Sequence, residues 1–224
     1  MDREKWEKEA WRFVEESARI LWSKKGERAL KYLRDDRGLQ DETISDYLLG
    51  FNPVSIKTDA KPWGYESGTL WMPGGILIPC IDELQVIHYL KVRQSSGPKY
   101  VQVTGSQGWL FGGSSFIGKK IGFLFESEFD VMLGSQTGYN VGYASLPANQ
   151  KLKSDDYQKY FDTIEDVIVA FDNDGPGQGA ANDLCEKSPR FHKAGKFPEG
   201  NDLGEYSRAG GSVVGYLIGE VKKI

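Results

Sequence analysis

Three groups of acidic residues stand at, or just beyond, the ends of short apolar runs. Glu126 follows Ile121-Gly122-Phe123-Leu124-Phe125, with Glu128 and Asp130 close behind. Asp172 and Asp174 follow Asp166-Val167-Ile168-Val169-Ala170-Phe171, in the tract Asp172-Asn173-Asp174-Gly175. Asp202 ends Gly200-Asn201-Asp202 and opens a last helix-like segment. Carboxylates collected at one place repel one another and need a cation, and hard oxygen donors suit Mg2+ or Mn2+. In a strand-end turn, Asp-x-Asp can offer two carboxylates to one site, while Gly175 and Gly177 let the backbone pass close to a metal or a phosphate. Glu126, Asp172, Asp174 and Asp202 are enough to hold one or two divalent ions. Two ions about 3.5–4 Å apart can clamp both the attacking and the leaving oxygen of a phosphoryl transfer. A calcium loop fits poorly: counted from Asp172, the position that needs a bidentate Glu is Asp183, inside an expected helix. Asp130 reads either as a supporting acid or as a first-turn residue that meets the helix dipole.

These acids need elements to hold them. A continuous apolar run of this length reads as a buried parallel strand, and open α/β sheets bind ligands at the carboxyl ends of such strands. From Ile121 onward the pattern alternates: strand 121–125, helix 128–136, strand 140–144, helix 154–162, strand 166–171, helix 177–187, a short strand near 190–194, and a final helix from about 202. That alternation predicts a mostly parallel sheet with helices on its faces. Upstream, Trp6, Ala10, Phe13, Val14, Ile20 and Leu21 recur at helical spacing and predict an amphipathic helix over 2–24. A second helix runs through Ala29, Leu30, Tyr32 and Leu33, and a third over Glu42 to Leu49. Residues 52–75 are rich in Pro and Gly and read as loops with short edge strands. Ile76 to Pro79, Gln85 to Val92 and Tyr100 to Val103 read as β-strands.

The chain has 224 residues, enough for one large domain or two small ones. No apolar run approaches the length of a membrane span, and Met1-Asp2-Arg3-Glu4-Lys5 lacks a signal-peptide pattern, so a cytoplasmic protein is expected. Cys80 and Cys185 are the only cysteines, which supports neither a zinc site nor a disulfide framework. The net charge is −4, but its distribution is uneven. No Asp or Glu occurs from Gln85 to Phe125, a window that carries Lys91, Arg93, Lys99, Lys119 and Lys120. A local positive surface can bind phosphates whatever the global sign. Tyr89, Tyr100 and Trp109 interleave with it, and aromatics can stack bases, although core packing is the expected role for at least two of them.

Glu126-x-x-x-Asp130, then Phe171-Asp172-Asn173-Asp174-Gly175-Pro176-Gly177, then Pro198-Glu199-Gly200-Asn201-Asp202-Leu203 resembles, in order and spacing, the Toprim domain shared by DnaG-type primases, topoisomerases and certain nucleases. Upstream, Tyr32-Leu33-x-x-x-Arg37-Gly38-Leu39, then Ile76-Leu77-Ile78-Pro79-x-x-Asp82, Arg93 and Gly97-Pro98-Lys99-Tyr100 are similar to the segments that precede the centre of DnaG-type primases. The resemblance implies an α/β fold. A Toprim domain over 119–224 is preceded by a smaller α+β subdomain over 1–118, with helices in 2–50 and a strand-rich nucleic-acid- and nucleotide-binding module in 70–112. No Cys/His cluster precedes the core, and the chain ends soon after the third motif, so the zinc-binding domain and the C-terminal helical, helicase-contacting region are expected to be absent. Gly204 stands where many relatives carry a second Asp, with Glu205 beside it, and Ser127 stands where many have Gly.

The resemblance implies RNA primer synthesis on a single-stranded DNA template from ribonucleoside triphosphates, with Mg2+ or Mn2+ as cofactor. It implies metal binding by Glu126, Asp172, Asp174 and Asp202, with Glu126 acting either as a ligand or as the acid/base that handles the hydroxyl proton. Catalytic roles fall to Glu126, Asp172 and Asp174, supported by Asp130 and Glu205. Arg93 and Lys99, and more weakly Lys91 and Lys119, are expected on nucleotide phosphates or the template backbone. A replicative helicase, reached through another region or chain, is the further partner implied; a membrane is not. The alternatives are a Toprim nuclease that uses the same metal site, and a non-catalytic module that binds nucleic acid or a replication partner.

Overall fold

A computed structural model describes residues 1–146 and 158–224. It divides the chain into two compact units, one of Met1–Asp36 with Gln40–Gly108, the other of Arg37–Leu39 with Trp109–Ile224. Among the described residues, no helix is long and apolar enough to cross a membrane.

In the first unit, helix α1 (Arg3–Leu21) is capped by Asp2, whose side chain accepts from the Lys5 amide. Its buried stripe of Trp6, Ala10 and Val14 packs on Leu77, Leu90 and Val92 of the sheet. The Trp6 indole donates to Thr104 O at 2.9 Å, so its one polar atom is satisfied inside the core. The helix predicted over 2–24 ends at Leu21, where the chain turns toward Gly26. Helices α2 (Glu27–Lys31) and α3 (Asp41–Asp46) flank a π turn at Tyr32–Asp36. Strands β1 (Gly50–Asn52), β4 (Gly75–Ile81), β5 (Ile87–Arg93) and β6 (Tyr100–Gln102) form an antiparallel sheet in the order β1-β4-β5-β6. Strands β2 (Ile56–Asp59) and β3 (Thr69–Met72) form a separate hairpin within the Pro- and Gly-rich stretch. At the β4–β5 turn, one oxygen of the buried Asp82 accepts from the amides of Leu84 and Val86, both at 2.9 Å. The other meets His88 Nε2 at 2.9 Å.

The second unit holds the alternating elements: β7 (Ile121–Phe125), α4 (Glu128–Ser135), β8 (Gly142–Ser145), α5 (Gln158–Phe161), β9 (Asp166–Val169), α6 (Gly175–Cys185), β10 (Phe191–Lys193), α7 (Leu203–Arg208) and α8 (Val213–Val221). The first four residues of the helix expected over 154–162 lie outside the described residues. The sheet is parallel throughout, in the order β10-β9-β7-β8. Strands β7 and β9 are nearly all buried, which is why they read as unbroken apolar runs. The connection after β7 leads to β8 on one side, whereas β9 pairs on its other side, with Leu124 opposite Val169. Strand order therefore reverses at the β7–β9 boundary, the kind of crevice where open α/β sheets bind ligands.

Candidate active site

The carboxyl ends of β7 and β9 put two acidic turns side by side. The Asp172 amide donates to Glu126 Oε1 at 3.2 Å, a bond between turns from neighbouring strands. Gly177 passes so close to this bond that a Cβ there would lie 2.4 Å from Glu126 Oε1 and 2.6 Å from Asp172 O. The backbone approach expected of the glycines is thus met at Gly177, whereas a Cβ on Gly175 would meet nothing within 4 Å.

Asp174 is the N-cap of α6, with Oδ1 accepting from the Gly177 amide at 2.8 Å. Asp202 caps α7 in the same way, with Oδ1 accepting from the Glu205 amide at 2.6 Å. Each cap uses a single oxygen, so each carboxylate keeps a second. The Glu205 carboxylate instead turns back to the Asn201 amide at 2.8 Å, so it fixes the turn that carries Asp202.

Asp130 is buried, and both its oxygens are engaged. Ser127 caps α4 and donates its hydroxyl to Asp130 Oδ2 at 2.6 Å, while the Gly204 amide donates to Asp130 Oδ1 at 3.1 Å. Asp130 thereby ties the turn after β7 to the start of α7. It occupies the first turn of its helix, and what it grips is the neighbouring helix. Ser127 and Gly204, the two departures from the resemblance, are both its partners.

The electrostatics of the group are those of crowded acids. Burial pushes the Asp172 carboxyl up to about 7, and repulsion from Glu126, Asp130, Asp202 and Asp174 adds to it. Burial also lifts Asp130 to about 7, helped by Asp202 and opposed by Ser127, Gly204 and Arg37. Glu126 is raised mainly by lost hydration, against the Asp172 amide and with the help of Asp174. The donor set of Glu126, Asp172, Asp174 and Asp202 is oxygen only, the chemistry of a hard divalent cation, whose charge would relieve this repulsion. Among the described residues, no three His, Cys, Asp or Glu side chains stand close enough together to hold one ion.

Two residues without an assigned role in the sequence reading hold the acidic turns together. The Asn173 amide group donates to Phe197 O at 3.0 Å and Gly200 O at 2.8 Å, and its oxygen accepts from the Phe197 amide at 3.1 Å. Its backbone donates to Asn201 O at 2.7 Å. Asn201 Nδ2 in turn reaches Asp172 Oδ2 at 3.3 Å. The signal for Asn173 was its place between two acids: an amide there both donates and accepts, which a third carboxylate could not do.

The basic residues are dispersed. Lys91 is buried in β5, its ammonium 5.6 Å from the ring centroids of both Tyr89 and Tyr100. Lys99 is exposed and lies 5.7 Å from the Tyr100 ring. The Arg93 guanidinium covers the Tyr32 ring at 4.4 Å. Lys119, in the second unit, bonds Asn140 Oδ1. Of the three interleaved aromatics, Tyr89 is fully buried, Trp109 packs against the second unit's core, and Tyr100 is half-buried.

Residues 123–196, from β7 past β10, match the Toprim domain family. The class of fold that the parallel sheet and its acidic edge define is therefore Toprim. Over nearly its whole length, the chain has the fold of the DnaG primase catalytic core. It is similar to a DnaG primase catalytic domain bound to single-stranded DNA, with a TM-score of 0.78 and 17% identity over 99% of this chain and 79% of that one. A DNA primase domain from Pseudomonas aeruginosa matches with a TM-score of 0.76 and 17% identity over 96% of this chain and 78% of that one. The E. coli primase catalytic core matches at 0.71 and 18%, over 94% and 77%. No curated protein matches the sequence.

Proposed function

We propose that this chain is the catalytic core of a DNA primase, joining ribonucleoside triphosphates into a primer on a single-stranded DNA template. A 3′-hydroxyl attacks the α-phosphate of the incoming nucleotide, and pyrophosphate leaves. The observation that carries the reading is the meeting of Glu126 with the Asp172 turn at the β7–β9 switch point, in a chain that has the primase-core fold throughout.

Glu126, Asp172, Asp174 and Asp202 would supply the oxygen donors for Mg2+ or Mn2+, drawn closer together than they stand in this structure, and the ion would supply charge neutralisation for the phosphoryl transfer. The protein's own share is position: Asn173 and Asn201 lock the Asp172 turn to the turn that carries Asp202, the Asp172 amide ties that pair to Glu126, and Asp130 anchors α7 to α4. Glu126 serves as ligand or as acceptor of the hydroxyl proton. Arg93 and Lys99 bind phosphates of nucleotide or template, with Lys91 and Lys119 in lesser roles. A cytoplasmic location and a replicative helicase partner accord with this reading.

The test is incubation with single-stranded templates, labelled ribonucleotides and Mg2+ or Mn2+, with Asp172→Asn and Glu126→Gln run in parallel. Oligonucleotide synthesis that both variants lose is the expected result. Degradation of the template without synthesis would replace the primase with a nuclease, and binding without turnover would leave a module only.

A further inference from the structure

Strand β10 and its continuation pair with β9 as far as Ala194, whose amide donates to Val169 O at 3.0 Å. The chain then leaves the sheet and runs without regular structure to the turn that carries Asp202. Backbone groups that have left a ladder need other partners, and here side chains supply them. The Gly195 amide donates to Glu220 Oε2 at 2.8 Å, and the Gly195 carbonyl accepts from the Tyr216 hydroxyl at 2.7 Å. Further on, Phe197 gives both of its backbone groups to Asn173, which also donates to Gly200 O. The segment from Gly195 to Gly200 is thus a bridge, gripped by α8 at one end and by the Asp172 turn at the other.

Tyr216 and Glu220 stand four residues apart, so they share one face of α8, and both are buried. They are the only two of its nine residues whose side chains carry oxygen. A buried carboxylate is a costly way to dock a helix, since apolar contact does the same without the loss of hydration. Tyr216 already provides such contact, its ring centroid 4.8 Å from that of Phe197. The two polar groups find their use in the backbone they hold. Burial, with Glu220 and Tyr206 beside it, pushes the Tyr216 hydroxyl well above its ordinary value, so it stays a donor throughout the neutral range.

We propose, on the reading of Glu126, Asp172, Asp174 and Asp202 as metal ligands, that Tyr216 and Glu220 are positioning residues for that centre. By fixing both backbone groups of Gly195 they set the path of the bridge. Through Asn173 the bridge sets where the Asp202 carboxylate stands relative to Asp172. Groups that orient ligands without touching the ion tune its affinity. Their loss therefore weakens metal binding and leaves every ligand in place.

Mn2+ is titrated into the full chain without substrate, and the free ion is read by electron paramagnetic resonance. Tyr216→Phe keeps the ring and Glu220→Leu keeps the bulk, yet each is expected to weaken binding about three- to tenfold, the worth of one hydrogen bond. Glu220→Gln retains an acceptor for the Gly195 amide and should stay close to the parent. Primer synthesis by the two weakened variants should fall at limiting Mn2+ and return to the parent's rate at saturating Mn2+. Asp82→Ala, a destabilising change in the other unit, should keep the parent's affinity; an equal loss there would assign the effect to stability and overturn the proposal. Unchanged affinity in Tyr216→Phe and Glu220→Leu overturns it as well, with Tyr216→Phe decisive if Glu220→Leu does not fold. A parent chain that binds no Mn2+, or binds it equally well after Asp172→Asn, overturns the metal reading and the positioning roles with it.

Discussion

Asp172 donates its backbone amide to Oε1 of Glu126 at 3.2 Å, so the acidic turns that follow two neighbouring strands are joined by a hydrogen bond. A carboxamide can accept the same bond. Glu126→Gln is therefore expected to fold, with a melting temperature at or above the parent's because burial and Asp174 disfavour the Glu126 charge, while losing that charge. Primer synthesis should fall on the order of 100-fold or more, the scale seen when a single charge-stabilising group is removed. Circular dichroism melting together with the template assay checks it. A folded variant with full activity would remove Glu126 from the chemistry.

Burial and like charge raise Asp172 to about 7. A carboxyl raised in the folded state binds its proton more tightly there than in the unfolded chain, whose value is about 3.9. Its favourable contribution is thus complete below the unfolded value and disappears as pH rises through about 7. Without divalent ions, the melting temperature is expected to fall between pH 5 and pH 8. Asp172→Asn, which keeps an acceptor for Asn201, should melt higher than the parent at pH 8 and show a weaker pH dependence. Millimolar Mn2+ should raise the melting temperature of the parent at pH 8 more than that of the variant, as a ligand of the native state must.

Asp82 gives the opposite sign. Burial pushes its carboxyl up, but His88, Val86 and Leu84 together hold it below the ordinary value. The stability it contributes is present above the unfolded value and is lost as pH falls through the lower folded one. Asp82→Ala leaves two amides of the β4–β5 turn unpaired and is expected to cost about 1–3 kcal/mol. Its deficit should be full at pH 7 and shrink toward pH 3, as denaturant melts at the two pH values will show.

The strand ends that carry Glu126 and Asp172 were legible because buried parallel strands are continuous apolar runs and the first polar residue after each stands out. The pairing of β9 beside β7 was not legible, since sheet order is set by which side each helix crossing takes. Helix 2–24 was readable from Trp6, Ala10 and Val14, yet its last turn was not, because the chain leaves the helix where tertiary packing sends it. Lys91 reads in sequence as one more basic residue of a solvated window. In the sheet it is buried between two tyrosines, a placement decided by β4 and β6 on either side. Asn173 and Asn201 were invisible as clamps because their partners lie 24 and 29 residues away in sequence. Asp130 could be placed in a helix first turn from Ser127, but its hold on Gly204 spans two helices and leaves no local pattern.

Gly177 and Gly179 lie two residues apart in α6 and should behave oppositely. A methyl on Gly177 would collide with Glu126 Oε1 and with the Asp172 carbonyl, whereas one on Gly179 meets nothing within 4 Å. Gly177→Ala is expected to destabilise by about 1–3 kcal/mol and to depress synthesis by spreading the two acidic turns. Gly179→Ala should stabilise by about 0.5–1 kcal/mol, the ordinary gain of Ala over Gly inside a helix. Equal effects at the two positions would show that Gly177 has no special contact with the site.

Lys99 and Lys91 divide the basic window by exposure. Lys99 is exposed beside Tyr100, where a phosphate can reach it together with a stacking surface. Each phosphate neutralised on single-stranded DNA releases condensed ions, so removing one such contact lowers the slope of log affinity against log salt by about 0.7. Lys99→Gln should show that change and weaken strand binding without moving the melting temperature. Lys91 is buried against Tyr89 and Tyr100, and Lys91→Gln replaces a packed cation inside the sheet. Its main effect should therefore be a lower melting temperature, with the salt slope nearly unchanged. Fluorescence anisotropy of a labelled strand at several salt concentrations, paired with melting curves, measures both quantities. A salt slope that drops for Lys91→Gln and holds for Lys99→Gln would reverse the assignment and place the strand against the buried lysine.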